Sequence, residues 1–275
     1  MNSLDQILTV LVLHNMDLQD SVAYQSLTRS LRFHNIKAYL FIYDNSPIRQ
    51  TIPESDCWEI SYFQDAANPG VSRAYNLGSV FANRLQKKWL LLADQDTTFP
   101  DDIFEKYLHS MNLHPDCAVF APILNDTKGV VSPFKPGLTS GVRLKKSVAG
   151  RQSLSQIHAI NSGLMVGLQM FESAGGYDER FKLDFSDIVF FSRLKHQTQY
   201  LVIVDAPCQH GHSSQQKGNT EFVLNRFNGY LHAVSILDNG RKTRMAFFIR
   251  ACMRAVKLSL QHKSTRFVGS LFGAT

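Results

Sequence analysis

Five short apolar runs constrain this chain more than any other feature, because each ends abruptly in polar residues and each is followed by a helix-period stretch or a turn. They are ILTVLVL (7–13), AYLFIYD (38–44), WEISYF (58–63), WLLLA (89–93) and CAVFAPI (117–123). Runs of this length bounded by polar residues read as strands buried on both faces. Between them, residues 19–35 carry helical spacing at Val22, Leu27, Leu31 and Phe33. NPGVSRAYNLGSVFANRL (68–85) reads as a Gly/Pro-bearing loop entering a helix. Pro100, Asp101 and Asp102 open another helix, since acids favour a helix N-terminus. Strands alternating with helices predict an α/β protein, doubly wound on a mostly parallel, Rossmann-like sheet with right-handed crossovers.

Farther along the pattern weakens. Residues 124–157 are rich in Gly, Pro, Ser and basic residues and show little periodicity. Such a stretch reads either as a binding or lid loop or as a surface excursion. IHAINSGLMVG (157–167) resumes strand character, DIVFFSRLK (187–195) reads as helix, and YLVIVDAP (200–207) as a last strand.

A parallel sheet puts the C-terminal ends of its strands along one edge, where ligands bind in open α/β folds. The residues at those ends are polar. His14 and Asn15 follow the first run; Asp44, Asn45 and Ser46 close the second; Asn68 and Gly70 follow the third. The fourth runs into Asp94, Gln95 and Asp96. One such group is commonly a turn, but a series on one edge predicts a shared crevice. Two close carboxylates repel unless a proton or cation lies between them. Mg²⁺ binds through one or two carboxylates plus substrate phosphates, so the pair suits a nucleoside diphosphate. The loop before residue 71 would bring backbone amides near that anion.

Two further groups bear on chemistry. In YDERFKLDFSDIVFFSRL (177–194), Asp184 and Asp187 precede an apolar helix. Asp187 reads as a helix cap or as a general base. His210 and His212 follow the last strand, and either reads as a further metal ligand or as an ordinary histidine.

Taken in order, HN, DNS, NPGVSRAYNLG, DQD, NSGLMV and GGYDERFKLDFSD resemble the inverting glycosyltransferases of family two, with the GT-A fold. Within that family they are most similar to bacterial rhamnosyltransferases. The resemblance covers residues 5 to about 215. It implies a catalytic domain over 1–215, with a nucleotide-sugar half to about residue 100 and an acceptor half beyond it. A basic helical extension over 216–275 follows. It implies donor contacts from His14, Asn15, Asp44, Asn45, Ser46, Asn68, Gly70, Arg73, Asn76, Asp94 and Gln95, with Asp44 beside the nucleotide base. Ser162, Gly163 and Asp184 would meet the acceptor. Asp96, with His210, would hold Mg²⁺ or Mn²⁺, and Asp187 would deprotonate the acceptor hydroxyl. The donor would be a dTDP- or UDP-linked sugar, rhamnose by the closest resemblance, and the acceptor a glycan or lipid-linked glycan. Two departures, Ser186 before Asp187 and Lys182 at an often aromatic position, bear on the acceptor more than on the reaction.

Other readings make different demands. DQDTT also fits the D-x-D-x-T motif of haloacid-dehalogenase-type phosphatases, where the first Asp attacks phosphorus. That motif ordinarily follows the first strand, whereas three precede it here. A non-catalytic nucleotide- or glycan-binding module on the same fold is the third reading.

Charge separates the tail from the body. Residues 239–275 hold eight Lys/Arg and no acid, while residues 1–238 hold 21 Lys/Arg against 23 acids. The body is slightly acidic and carries no recognised nucleic-acid motif, so no nucleic-acid partner is expected. The tail stretch 241–267 places Arg250, Arg254 and Lys257 on one helical face, which predicts an anionic membrane surface as a partner or a helix packed on the domain. No basic segment precedes the first apolar run, no run approaches a membrane span, and the four cysteines lie far apart. A cytoplasmic protein with reduced thiols, peripheral at the inner face of the membrane if the tail docks there, is the expectation.

Overall fold

The computed structural model describes residues 3–146, 148–211, 219–237 and 240–273. The upstream half follows the expected order: β1 (Ile7–Leu13), α1 (Val22–Phe33), β2 (Ala38–Asp44), β3 (Trp58–Gln64), α2 (Val71–Arg84) and β4 (Trp89–Asp94). Next come β5 (Thr97–Thr98), α3 (Ile103–Leu113), β6 (Val119–Asp126), β7 (Gly129–Ser132), β8 (Phe134–Lys135), β9 (Val142–Arg143) and β10 (Gly150–Ser153). The chain then forms β11 (Met165–Gly167), α4 (Leu168–Ser173), α5 (Ser186–Leu194) and β12 (Tyr200–His210). Three helices close it: α6 (Thr220–Ile236), α7 (Arg241–His262) and α8 (Arg266–Gly273).

The main path of the sheet runs β10-β12-β6-β11-β4-β1-β2-β3. β1 to β4 are mutually parallel. β11 opposes both β4 and β6, which returns β6 to the common direction, and β12 runs parallel to β6. On that path β10 and β11 are reversed, and the short β5 and β7 pair antiparallel with β12 and β6 off it, so the central sheet is mostly parallel, as expected. The ends of β1, β2, β4 and β12 share one edge in consequence.

The apolar runs show no alternation because both faces of the sheet are covered. Every residue of β1 is buried. Ile7, Leu11 and Leu13 pack with α1 and α3, and Leu8, Val10 and Val12 pack with α2, α4 and α5. Truncating one of these, Leu11→Ala for example, costs about 2–5 kcal/mol. α1 starts where Ser21 accepts the Tyr24 amide at 3.2 Å, and it buries Ala23, Leu27 and Leu31.

Two expectations need correction. Residues 124–157 are not an unstructured excursion: β7 pairs with β6, β8 with β9, and β10 extends the sheet edge along β12. Strands of two to four residues are too short to leave a readable period. Residues 157–167 are strand only at Met165–Gly167. A turn precedes it, in which the Leu164 amide reaches the Asn161 carbonyl at 2.9 Å and Gly163 adopts φ +78°. A side chain there would drive into Pro122.

Candidate active site

β4 delivers Asp94 to the sheet edge, where its Oδ1 accepts the Tyr75 hydroxyl at 2.7 Å. Burial lifts the Asp94 carboxyl above its ordinary range, and the Tyr75 bond and His210 oppose that lift. The Asp94 amide donates to Ser162 Oγ at 3.1 Å, and Ser162 donates to Thr97 Oγ1 at 2.8 Å. β5 pairs Thr97 with His210 and Thr98 with Gln209, while the Gly211 amide donates to the Asp96 carbonyl at 2.8 Å. The D-x-D turn is thus stitched to the end of β12. Asp96 Oδ1 and His210 Nδ1 lie 3.6 Å apart, and that Nδ1 is 2.7 Å from Thr97 Oγ1. Burial raises the Asp96 carboxyl to about 6; His210 pulls it down and the Asp94 charge pushes it up. His212 lies outside the described residues.

This donor set is small. Among the described residues no three His, Cys, Asp or Glu side chains gather to hold a metal by themselves. One carboxylate and one imidazole, Asp96 and His210, could hold only a cation that takes its other ligands from a bound diphosphate and water.

Asp187 stands in the first turn of α5. The N-cap position belongs to Phe185, whose φ is +67° and whose side chain makes no cap bond, so Asp187 does not cap the helix as a sequence reading allows. Its carboxylate accepts the adjacent Ile188 amide at 2.7 Å. Burial lifts the group to about 6; the Ile188 bond opposes this, and the charges of Asp94 and Asp184 add to it. A carboxyl of that value beside other carboxylates fits a proton acceptor near neutral pH.

The residues at the β1 and β2 ends behave differently. Gln95 accepts the His14 amide at 2.7 Å and donates to the His14 carbonyl at 3.3 Å. His14 Nδ1 lies 3.2 Å from the Asn45 carbonyl, and the Asn15 amide donates to Ser46 Oγ at 2.8 Å. Asp44 is fully buried and accepts from the Ser46 amide (2.9 Å), Gln50 Nε2 (2.8 Å) and Tyr62 Oη (2.9 Å). Its oxygens are engaged inside the protein rather than offered to a base. Ser162 is likewise fully buried, behind Asp94 and not on a surface that an acceptor could touch.

A third set clamps α2 to the segment before α5. Gly70, at φ +98°, sits so close to the Lys182 backbone that a Cβ would overlap its carbonyl, which accepts the Val71 amide at 2.8 Å. Asn76 donates to the Tyr177 carbonyl (2.9 Å) and to Glu179 Oε1 (3.0 Å) and accepts the Tyr177 amide (2.8 Å). That commits its amide to the 177–179 segment. Arg73 pairs with Glu179 at 3.2 Å from an exposed position, and Asn68 is exposed with φ +46°.

The C-terminal helices pack against the residues just ahead of Asp187. Arg226 of α6 reaches Asp184 at 3.3 Å. Phe185 packs between Tyr230 of α6 and Phe247 of α7, with ring centroids 5.7 and 5.5 Å away.

Sequence reasoning missed Tyr75, Thr97, Asn161 and Tyr177. The Tyr177 hydroxyl donates to Asn161 Oδ1 at 2.8 Å, and Asn161 donates to Ser186 Oγ at 3.1 Å, immediately before Asp187. Burial pushes both tyrosines well above their ordinary range, so they stay protonated as donors. The available signal was helical phase: in SRAYNLG, Tyr75 falls on the buried face of α2, where a phenol needs a polar partner.

Comparison with solved structures finds the same fold in known proteins. The structure aligns with S. aureus TarS residues 1–349 at TM-score 0.51 and 10% identity, over 97% of this chain and 80% of that one. Its complexes with UDP and with UDP-GlcNAc give TM-scores of 0.53 and 0.52, again at 10% identity. They cover 98% of this chain and 80% and 81% of theirs. No family model matches the sequence, and no curated protein matches it.

Proposed function

We propose that this protein is an inverting, metal-dependent glycosyltransferase that moves a sugar from a nucleoside diphosphate sugar to a hydroxyl of a glycan or lipid-linked glycan. One observation carries the reading. Asp94, Asp96, His210 and Asp187 converge at the strand-end edge of a TarS-like fold, and two of these carboxyls are held near 6. The UDP and UDP-GlcNAc complexes of TarS support a nucleotide-sugar donor. The motif resemblance makes dTDP-rhamnose the first donor to test.

In this reading Asp187 accepts the proton of the acceptor hydroxyl as its oxygen attacks the anomeric carbon. The bond from that carbon to the diphosphate oxygen breaks on the opposite face, and the nucleoside diphosphate leaves with the electron pair. Asp96 and His210 would hold a Mg²⁺ or Mn²⁺ ion, which when bound supplies positive charge to the departing diphosphate. Asp94, held by Tyr75, orients the donor sugar. The bracing at His14, Asn45, Ser46 and Gln95 keeps the edge rigid beneath the nucleotide. The TarS-like fold, and a D-x-D turn that follows the fourth strand, favour this reading over the phosphatase one.

The test is release of nucleoside diphosphate from a panel of dTDP- and UDP-sugars, with an acceptor mixture, with and without Mn²⁺ or Mg²⁺. Metal-dependent release that Asp187→Asn removes supports the proposal. Binding of a sugar nucleotide without turnover on any acceptor would instead favour a non-catalytic module.

A further inference from the structure

α7 presents two opposite faces. Phe247, Ala251 and Ala255 turn inward and are buried against the rest of the chain. On the far side Met245, Ile249, Met253, Val256 and Leu260 are 52–75% exposed. Their spacing of four, four, three and four residues draws one continuous stripe along about 22 Å of helix axis. Ordinary surface helices put polar residues on that side.

The charges around the stripe are of one sign. Arg241, Lys242 and Arg244 are exposed at its N-terminal end, and Lys257 and Lys263 toward the other. Residues 239–275 contain no acid. The basic face expected from sequence needs correction, however. Arg250 donates to Ser140 at 2.7 Å and Thr139 at 3.2 Å, and half-buried Arg254 lies 4.5 Å from the Tyr230 ring centroid. Those two are committed to the protein, and the cations free to meet a surface lie at the ends of the stripe instead.

A second copy of the chain seated on this stripe would bring cations against cations, with no acid in the segment to answer them. An anionic lipid surface answers both features, taking the apolar stripe below its headgroups and the cations among its phosphates. No helix among the described residues is long and apolar enough to cross a membrane, so the geometry is that of a helix lying flat. We propose that α7 docks the protein on an anionic membrane through the Met245–Leu260 stripe. This inference does not rest on the proposed reaction. It has a spatial consequence for it: Phe247, on the inner side of the docking helix, touches Phe185, two residues from Asp187.

The test is flotation of the full chain with phosphatidylglycerol/phosphatidylcholine vesicles and with phosphatidylcholine alone. Binding is expected to the anionic vesicles only, weakening roughly tenfold as salt rises from about 0.1 to about 0.5 M. The triple variant Ile249→Gln/Met253→Gln/Leu260→Gln changes only exposed side chains and is expected to lower partitioning at least about tenfold. Lys242→Glu/Lys257→Glu probes the charge separately and is expected to do likewise. Absence of binding to anionic vesicles, or equal binding by the wild type and both variants, overturns the proposal. So does a wild-type dimer in sedimentation that the triple variant converts to monomer, because a second copy then covers the stripe.

Discussion

The polar groups at the upstream strand ends and those at the downstream ends look alike in sequence and differ in what they are free to do. At the ends of β1 and β2, Asp44 holds three donors, and Gln95 clasps the backbone of His14. Those bonds link strand ends to one another. Beyond β4 and in α5 the carboxylates are bonded more locally: Asp187 accepts the adjacent Ile188 amide, and Asp96 has a histidine 3.6 Å away. Burial with few donors raises a carboxyl, whereas several donors satisfy it internally. One region therefore builds the shelf, and the other is the one that the proposed function has meeting a cation, a proton or a ligand.

Substitutions in the two regions are expected to fail in different ways. Asp96→Ala should lower metal-dependent turnover about 10³-fold or more with the melting temperature preserved. Full activity in that variant ends the metal assignment. Asp187→Asn should still bind the sugar nucleotide, measured by calorimetry, while transfer slows about 10²–10⁴-fold. The wild-type rate should climb as pH rises through about 6, because a base works only when deprotonated and Asp187 is held near that value. A rate that is flat across that range removes Asp187 from the role.

Asp44→Ala belongs to the other class. It leaves the Tyr62 hydroxyl and the Gln50 amide without their acceptor and should destabilise the fold by about 3–4 kcal/mol. That is a drop of roughly 10 °C in Tm, seen before any specific loss of donor affinity. Loss of nucleotide binding at unchanged Tm would instead return Asp44 to the nucleotide base.

The smallest expected effect lies away from the site. His158 is 6% exposed, stacks on Phe191 at 5.2 Å, and burial lowers it from 6.5 to about 4. The unfolded chain takes up a proton on this group below 6.5 while the folded chain does not until about 4, so stability is lost as pH falls across that window. Asp96 and Asp187, raised in the folded state, act with the opposite sign over a similar range. Comparison of His158→Phe with the wild type cancels their share. The variant should be less acid-sensitive by about 2–3 kcal/mol between pH 6.5 and 4 in urea denaturation. An identical pH profile shows that the buried imidazole carries no such penalty.

Much of this was legible beforehand because it rests on local patterns. Apolar runs of strand length placed β1, β2, β3 and β4 to within a residue or two, and their ordering required one shared edge. The D-x-D turn, His210 and Asp187 could be singled out as candidates because each directly follows or precedes a strand or helix signal. The short strands within 129–153 were not legible, since two to four residues carry no period and exist only by pairing with β6, β12 and one another.

Sequence by itself determined the order of buried strands, the edge on which the carboxylates meet and the concentration of positive charge in the tail. Tertiary structure decided which polar groups are scaffolding and which are free. Asp44 and Asp187 are the same residue type at similar signals, yet one meets Gln50 and Tyr62 and the other meets Asp94 and Asp184. Likewise only packing bonded Arg250 to Ser140, set Arg254 over Tyr230 and left the Met245–Leu260 stripe outside. The physical reason is common to both cases. A carboxylate or a helix face takes its energy from its neighbours, and those neighbours come from segments far away in the chain.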